Sequence, residues 1–341
     1  MNSSAMSLNE AIHVYLDYCQ SKQLRPKTIK AYKQGLELFA SWMNRETNIG
    51  DIKREAVRAY IVDLQNRGKY TVSACAREEL NNCPENRTDY NKQVSNTTIN
   101  NYIRYMRAFF IWLEAEEYID KSPMKRIKVL PDLRKPKEYL EDDEVHALFS
   151  VLDRERYTEY RDFLIMMLML DSGTRLGETL SIEENQIDLK GRSLFLPAEK
   201  TKGKRARTVF FSRGTAAALK KWLRYKSKHV ESSYIFPIEK SGDAVNVSHY
   251  ETNFRRYVKK AGILKHISPH TLRNNFAKRC LLSGMDIYTL SRILGHSSVT
   301  VTERAYLDVK DIELKDRYQK HSPIKHVFGR QSAIVIDMIR E

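Results

Sequence analysis

The chain has 341 residues, too many for one ordinary hydrophobic core, so two domains are expected. Its 42% hydrophobic content can supply both cores, and its longest apolar run, residues 163–170, is far too short to cross a bilayer, which excludes a helical membrane protein. The formal net charge of +15 is local: residues 201–300 hold 20 Lys and Arg against 5 Asp and Glu, while the rest of the chain holds 38 of each sign.

A solvated surface usually mixes its signs, so a concentrated basic excess points instead to a polyanion, most commonly nucleic acid. The four cysteines, Cys19, Cys75, Cys83 and Cys280, are scattered with no CxxC pair. That argues against a zinc site and fits a reducing compartment. The N-terminus shows no charged segment followed by an apolar one, so nothing suggests secretion and a cytoplasmic protein is expected.

In chain order, residues 8–19 form an amphipathic helix with Leu8, Ala11, Ile12, Tyr15 and Leu16 on one face. Pro26 suits a helix start, and residues 28–42 and 52–64 continue as second and third helices. Residues 67–96 are polar and asparagine-rich, with Gly68 and Pro84, and read as a long loop or insertion. Residues 97–115 make a fourth strong helix, so 1–118 is expected to be one all-helical domain. Residues 119–137 carry Pro123, Pro131 and Pro136, which oppose helix, and seven Lys or Arg. This stretch reads as a basic linker, suited either to follow a phosphate backbone or simply to tether two domains.

The second domain is expected over 138–321. Helices are predicted at 141–152, 160–170, 176–180, 215–228, 248–261, 271–282 and 287–294, with short strands at 193–196 and 208–211 around a basic turn. The fold class is therefore mainly α with a small β-hairpin or sheet in the second domain. Residues 322–341 form a C-terminal tail whose apolar part, 333–339, docks on its own domain or on a neighbour.

Several polar clusters carry possible chemistry. Arg175 follows an apolar helix in Thr174-Arg175-Leu176-Gly177-Glu178, where its planar fork suits a phosphate. Taken alone, an intrachain pair with Glu178 is the stronger reading. Lys202 lies at the hairpin tip, where a lysine among other cations can serve as a proton donor; Lys200 and Lys204 compete for that role, and a solvated basic turn is the plain alternative. His270 and Arg273 lie one turn apart in Ser268-Pro269-His270-Thr271-Leu272-Arg273, with Ser268 as N-cap and Pro269 as first helical residue. His296 follows Leu294-Gly295, where the glycine closes a helix, and Tyr306 comes ten residues later. A lone histidine or tyrosine is more often structural. Tyr318 is the second candidate phenol.

The joint order Arg175, Lys202, His270-x-x-Arg273, Leu294-Gly295-His296, Tyr306 resembles that of the phage-integrase-type tyrosine site-specific recombinases. The resemblance covers residues 139–318 and extends more weakly to the helical domain. It implies a two-domain clamp on double-stranded DNA, with Tyr306 as nucleophile and a 3′-phosphotyrosyl intermediate. Arg175 and Arg273 would clamp the phosphate, His270 and His296 would add hydrogen bonds, and Lys202 would protonate the leaving 5′-oxygen. It also implies a homo-tetramer on two DNA sites, tails exchanged between subunits, accessory DNA-bending or directionality factors, and no cofactor or metal. The expected role is mobile-element integration and excision. Chromosome or plasmid dimer resolution by the same chemistry is the alternative, followed by a non-catalytic DNA-binding regulator, a type IB topoisomerase-like enzyme and, weakest, a metal-dependent nuclease.

Overall fold

The computed structural model describes residues 6–72, 84–131, 138–201, 205–296 and 298–306. The chain divides into two compact units, Met1–Arg134 and Lys135–Glu341.

The first unit packs α1 (Leu8–Ser21), α2 (Pro26–Met43), α3 (Arg54–Asn66) and α4 (Asn96–Ala115) around one core. Three of the four helices begin at a start signal, and α3, entered from Lys53 without a side-chain cap, is the exception. The Ser7 hydroxyl accepts from the Glu10 amide at 3.2 Å, and the Glu10 carboxylate accepts in return from the Ser7 amide at 2.9 Å. Pro26 opens α2, and Ser95 caps α4. The apolar faces bring Leu36, Phe39, Tyr60, Phe109, Phe110 and Leu113 together, all fully buried. Each such side chain stabilises the unit by roughly 1.5–3 kcal/mol relative to exposure.

The basic connector expected at 119–137 begins later than the sequence suggests. Ile119, Met124 and Ile127 are buried in the first core, and Leu130 packs against it. Asn100 accepts from the Leu130 amide at 2.7 Å and donates to its carbonyl at 2.9 Å, while Arg107 donates to the Ile127 carbonyl at 2.6 Å. The prolines do exclude helix here, but an irregular segment can still be held when side chains satisfy its backbone. Lys121, Lys125, Arg126 and Lys128 face outward between the buried apolar residues. The expected insertion is likewise anchored at its ends: Lys69 donates to the Lys92 carbonyl and Asn91 to that of Lys69. Residues 73–83, with Cys75 and Cys83, lie outside the described residues.

The second unit contains α5 (Asp142–Ser150), α6 (Tyr157–Ser172), α7 (Leu176–Leu180), a three-stranded sheet, α8 (Arg213–His229), α9 (Val247–Lys260), α10 (Pro269–Leu282), α11 (Ile287–Leu294) and α12 (Val299–Tyr306). The sheet is antiparallel in the order β1 (Ile187–Asp188), β2 (Ser193–Leu196), β3 (Arg207–Phe210). The hairpin strands match expectation to within a residue; two-residue β1 is too short to leave a periodic signal. Helix α6 runs through the core and packs against α8, α10 and β3. Its buried polar pair, Arg161 and Asp162, is satisfied: Asp162 also accepts from Tyr257 at 2.9 Å and Asn253 at 3.1 Å. The chain is thus mainly helical with a small antiparallel sheet in its second unit. Among the described residues no helix is long and apolar enough to cross a membrane. Residues 307–341, including Tyr318 and the apolar stretch 333–339, lie outside the described residues.

Candidate active site

Two left-handed glycines, Gly173 and Gly295, close the helices that deliver the site. Gly173 (φ +66°) ends α6 and turns the chain into Thr174-Arg175. A Cβ there would lie 2.3 Å from the Phe276 ring, so space as well as backbone demands glycine. The turn is wired internally: buried Thr174 and Thr179 share a hydroxyl contact at 2.8 Å, and Thr179 donates to the Arg175 carbonyl at 3.0 Å.

Arg175 caps α7 and pairs with Glu178, as the simple reading of its sequence anticipated. Its Nη1 donates to Glu178 Oε1 at 2.8 Å and its amide to Oε2 at 2.9 Å, yet its side chain remains 23% exposed. Glu178 is only 3% exposed and serves a second arginine. Arg207, at the start of β3, donates from Nη1 to Oε1 at 3.1 Å and from Nη2 to Oε2 at 2.6 Å. Burial pushes the Glu178 carboxyl up, but the hydrogen bonds and charge of Arg207, then the contacts of Arg175, outweigh it. The group is held below the usual carboxylate range.

Arg273 and His270 share the first turns of α10 but not an environment. Ser268 and Pro269 occupy the N-cap and first helical positions as expected. His270 is exposed, whereas Arg273 is 1% exposed. Arg273 Nη1 donates to the Gly173 carbonyl at 2.6 Å, and Nη2 donates to that of Leu294 at 2.7 Å. Nη2 also lies 3.2 Å from His296 Nε2. One guanidinium therefore joins the end of α6 to the end of α11.

His296 follows Gly295 (φ +64°), and its amide donates back to the Ser291 carbonyl at 3.1 Å. Its Nδ1 lies 2.7 Å from the hydroxyl of fully buried Thr302. A guanidinium cannot accept a hydrogen bond, so the network assigns the acceptor role to Nε2 and the proton to Nδ1, which donates to Thr302. Thr302 belongs to α12, the helix whose last residue is Tyr306, one turn further on. Backbone placement thus carries the chain directly from His296 to the candidate phenol.

The structure brings Arg175, Arg273 and His296 into one connected region and leads α12 out of it to Tyr306. Lys202 and its rival Lys204 lie outside the described residues; on either side of them in sequence, Thr201 accepts from the Arg205 amide at 3.1 Å. The other rival, Lys200, is occupied: it donates to the Ser181 carbonyl at 2.8 Å and to Glu183 at 2.5 Å. Arg207 and Thr302 escaped the sequence reading, and Glu178 entered it only as a partner for Arg175. Thr302 sits six residues after His296 in a run of ordinary Thr and Val, with no spacing to mark it. Among the described residues no group of three or more His, Cys, Asp or Glu is arranged to hold a metal ion.

Residues 138–313 match the phage integrase family, and residues 12–78 match the phage integrase N-terminal SAM-like domain. The chain is 26% identical to tyrosine recombinase XerC of Oceanobacillus iheyensis, over 92% of this chain and 95% of the relative. It is 28% identical to a tyrosine recombinase of Thermosipho africanus, over 92% and 100%. Among solved structures, the Tn1549 transposon integrase in complex with a circular intermediate DNA aligns with a TM-score of 0.71 at 16% identity, over 93% of this chain and all of that one. A lambda integrase dimer bound to a core site aligns at 0.66 and 15%, over 88% and 95%. These likenesses bear on the fold.

Proposed function

The chain belongs to the phage integrase family of tyrosine recombinases, which cleave and rejoin DNA strands, and on that premise we propose how its own residues divide the work. Tyr306 attacks a phosphodiester of double-stranded DNA. The phenolic oxygen passes its proton to water and bonds to phosphorus; the bond to the 5′-oxygen breaks, leaving a 3′-phosphotyrosyl enzyme and, after protonation, a free 5′-hydroxyl. Charge grows on the non-bridging oxygens during this transfer, and fixed cations stabilise it. Arg175 and Arg273 supply them and His270 adds a hydrogen bond; His296 adds one from Nε2 in its doubly protonated form, once the phosphate replaces Arg273 at that nitrogen, while Nδ1 stays on Thr302. Lys202 protonates the 5′-oxygen, a step typically worth roughly 10²–10⁴-fold. The covalent intermediate stores the bond energy for rejoining, so no nucleotide hydrolysis is needed.

One observation supports this reading above the others: Arg273 joins the turn beside Arg175 to the turn before His296, and His296 is bonded to the helix that ends at Tyr306. A non-catalytic binding module has no use for that convergence. The biological role we propose is integration and excision of a mobile element by a homo-tetramer on two sites. The fold likeness to a transposon integrase supports the role, and a lambda integrase tetramer bound to a Holliday junction supports the assembly. Dimer resolution is the second reading, favoured by the XerC relatives.

Covalent trapping tests the chemistry. Wild-type and Tyr306→Phe proteins are incubated in EDTA with nicked duplexes tiled from the DNA flanking the gene. An SDS-resistant protein–DNA band with wild type alone is expected, with DNA binding equal in both. A band retained by Tyr306→Phe moves the nucleophile elsewhere, with Tyr318 tested next. Adducts on a chromosomal dimer site instead of the flanks favour resolution. No adduct on any fragment, despite binding, returns the chain to the binding-module class.

A further inference from the structure

We propose that Arg207 is a positioning residue for this reaction: it supplies the counter-charge that lets Glu178 hold Arg175 without cancelling it. The inference rests on the assignment of Arg175 to the phosphate made above.

An ionised carboxylate offers about four acceptor positions. Glu178 uses two on Arg175, at its amide and Nη1, and two on Arg207, at Nη1 and Nη2. Were Arg207 absent, Glu178 and Arg175 would form a one-to-one ion pair of zero net charge. Such a pair orients the arginine well but leaves little field for an incoming phosphate, and its carboxylate repels that phosphate. With Arg207 present, the trio carries one net positive charge. The two guanidiniums differ in exposure as this division requires: the Arg207 side chain is 8% exposed, against 23% for Arg175. Arg207 is also fixed from behind, since its Nε donates to the Ile293 carbonyl at 2.9 Å. Both of its Nη atoms are turned to Glu178, so its effect on the charge at the site passes through that carboxylate.

A purely structural role makes a different prediction. If Arg207 only pins β3 to the end of α11 through Ile293, neutralising Glu178 cannot repair its loss. The test is a double-mutant cycle on the full chain. Arg207→Gln, Glu178→Gln and the double variant are compared with wild type and Tyr306→Phe, on the nicked duplex that gives the adduct. Single-turnover adduct formation and DNA affinity are measured separately, and thermal unfolding reports folding.

Arg207→Gln is expected to slow adduct formation about 100-fold at nearly unchanged affinity, the scale of losing one preorganised electrostatic contact. The double variant is expected to recover to within about tenfold of wild type, because the Glu178→Gln change keeps a carbonyl acceptor for the Arg175 amide and removes the charge. A double variant as slow as Arg207→Gln overturns the proposal. Should Arg207→Gln fail to fold, Arg207→Lys keeps the charge and is expected to retain adduct formation within about tenfold of wild type; folded Arg207→Lys protein that is as slow as Arg175→Ala also overturns it. Wild type without any adduct sinks the recombinase assignment and this inference with it, whereas a wild-type adduct with no recovery in the double variant sinks this inference alone.

Discussion

Replacing Arg273 with lysine separates what this residue does for folding from what it does for chemistry. The charge survives, but the fork does not. Arg273 serves the carbonyls of Gly173 and Leu294 from two different nitrogens, and these carbonyls belong to different helix ends. A single ammonium reaches one of them, and the other is left buried without its donor. Hydrogen bonds to charged groups contribute about 1.5–3 kcal/mol, and an orphaned buried acceptor costs about 1–3 kcal/mol. The expected loss is therefore about 2–4 kcal/mol for the second unit, or roughly 5–15 °C in its melting temperature. Arg175→Lys is the matched control: its side chain is 23% exposed and, among the described residues, bonded locally to Glu178, so its stability cost should stay below about 1 kcal/mol. Both variants should slow adduct formation by about 100-fold or more, because each loses bidentate geometry at the phosphate. Differential scanning calorimetry, resolving the two units, and trapping on nicked duplex measure the two effects. If Arg273→Lys melts like wild type, or Arg175→Lys is the less stable variant, the burial argument is refuted.

Thr302→Val keeps the shape of a fully buried side chain but removes the partner of His296 Nδ1. It should slow adduct formation about tenfold with little change in DNA affinity, since an unpaired donor costs about 1–3 kcal/mol and frees the ring to turn; equal rates would show that Thr302 does not hold the ring. Gly295→Ala should lower the second unit's melting temperature by at least about 3 °C, from a left-handed penalty of roughly 1–2 kcal/mol. Its new Cβ would also lie 2.8 Å from Arg207 Cδ, and an unchanged melting temperature would contradict that placement. Glu178 gives an acid limb to stability. Its carboxyl is lowered in the folded state from the ordinary value of 4.5, so its contribution is full above that value and is lost as pH falls through the lowered one. Glu178→Gln should flatten the stability profile in that acid window; an unaltered slope would mean that the carboxylate is not held as described.

The helices were legible because apolar periodicity and start signals agree, as at Pro26 and Pro269. Arg175, Arg273 and His296 were legible because glycine turns and a capped helix mark where they sit. What stayed hidden are contacts between elements distant in sequence. Nothing local ties Arg207 to Glu178, 29 positions earlier, or to the Ile293 carbonyl, 86 later. The anchoring of 119–130 on the first core was hidden for a related reason. Prolines and basic residues dominate the composition, while a few apolar residues and Asn100 decide the packing. The sequence placed His270 and Arg273 one turn apart, but one turn on a helix does not fix burial: the first is exposed and the second enclosed.

Arg273 is bonded to the carbonyl ends of α6 and α11 at once. Each of these helix ends carries the equivalent of about half a negative charge, which offsets the cost of burying the guanidinium beside another cation without removing its net charge. The cluster can therefore exist before any DNA arrives. Dissolved ions cannot reach dipoles packed inside the unit, so this offset persists at every ionic strength. A cation that is 1% exposed gathers little counterion atmosphere of its own. Arg273 should then add little to the salt dependence of DNA binding, which falls to the exposed lysines and arginines at the surface.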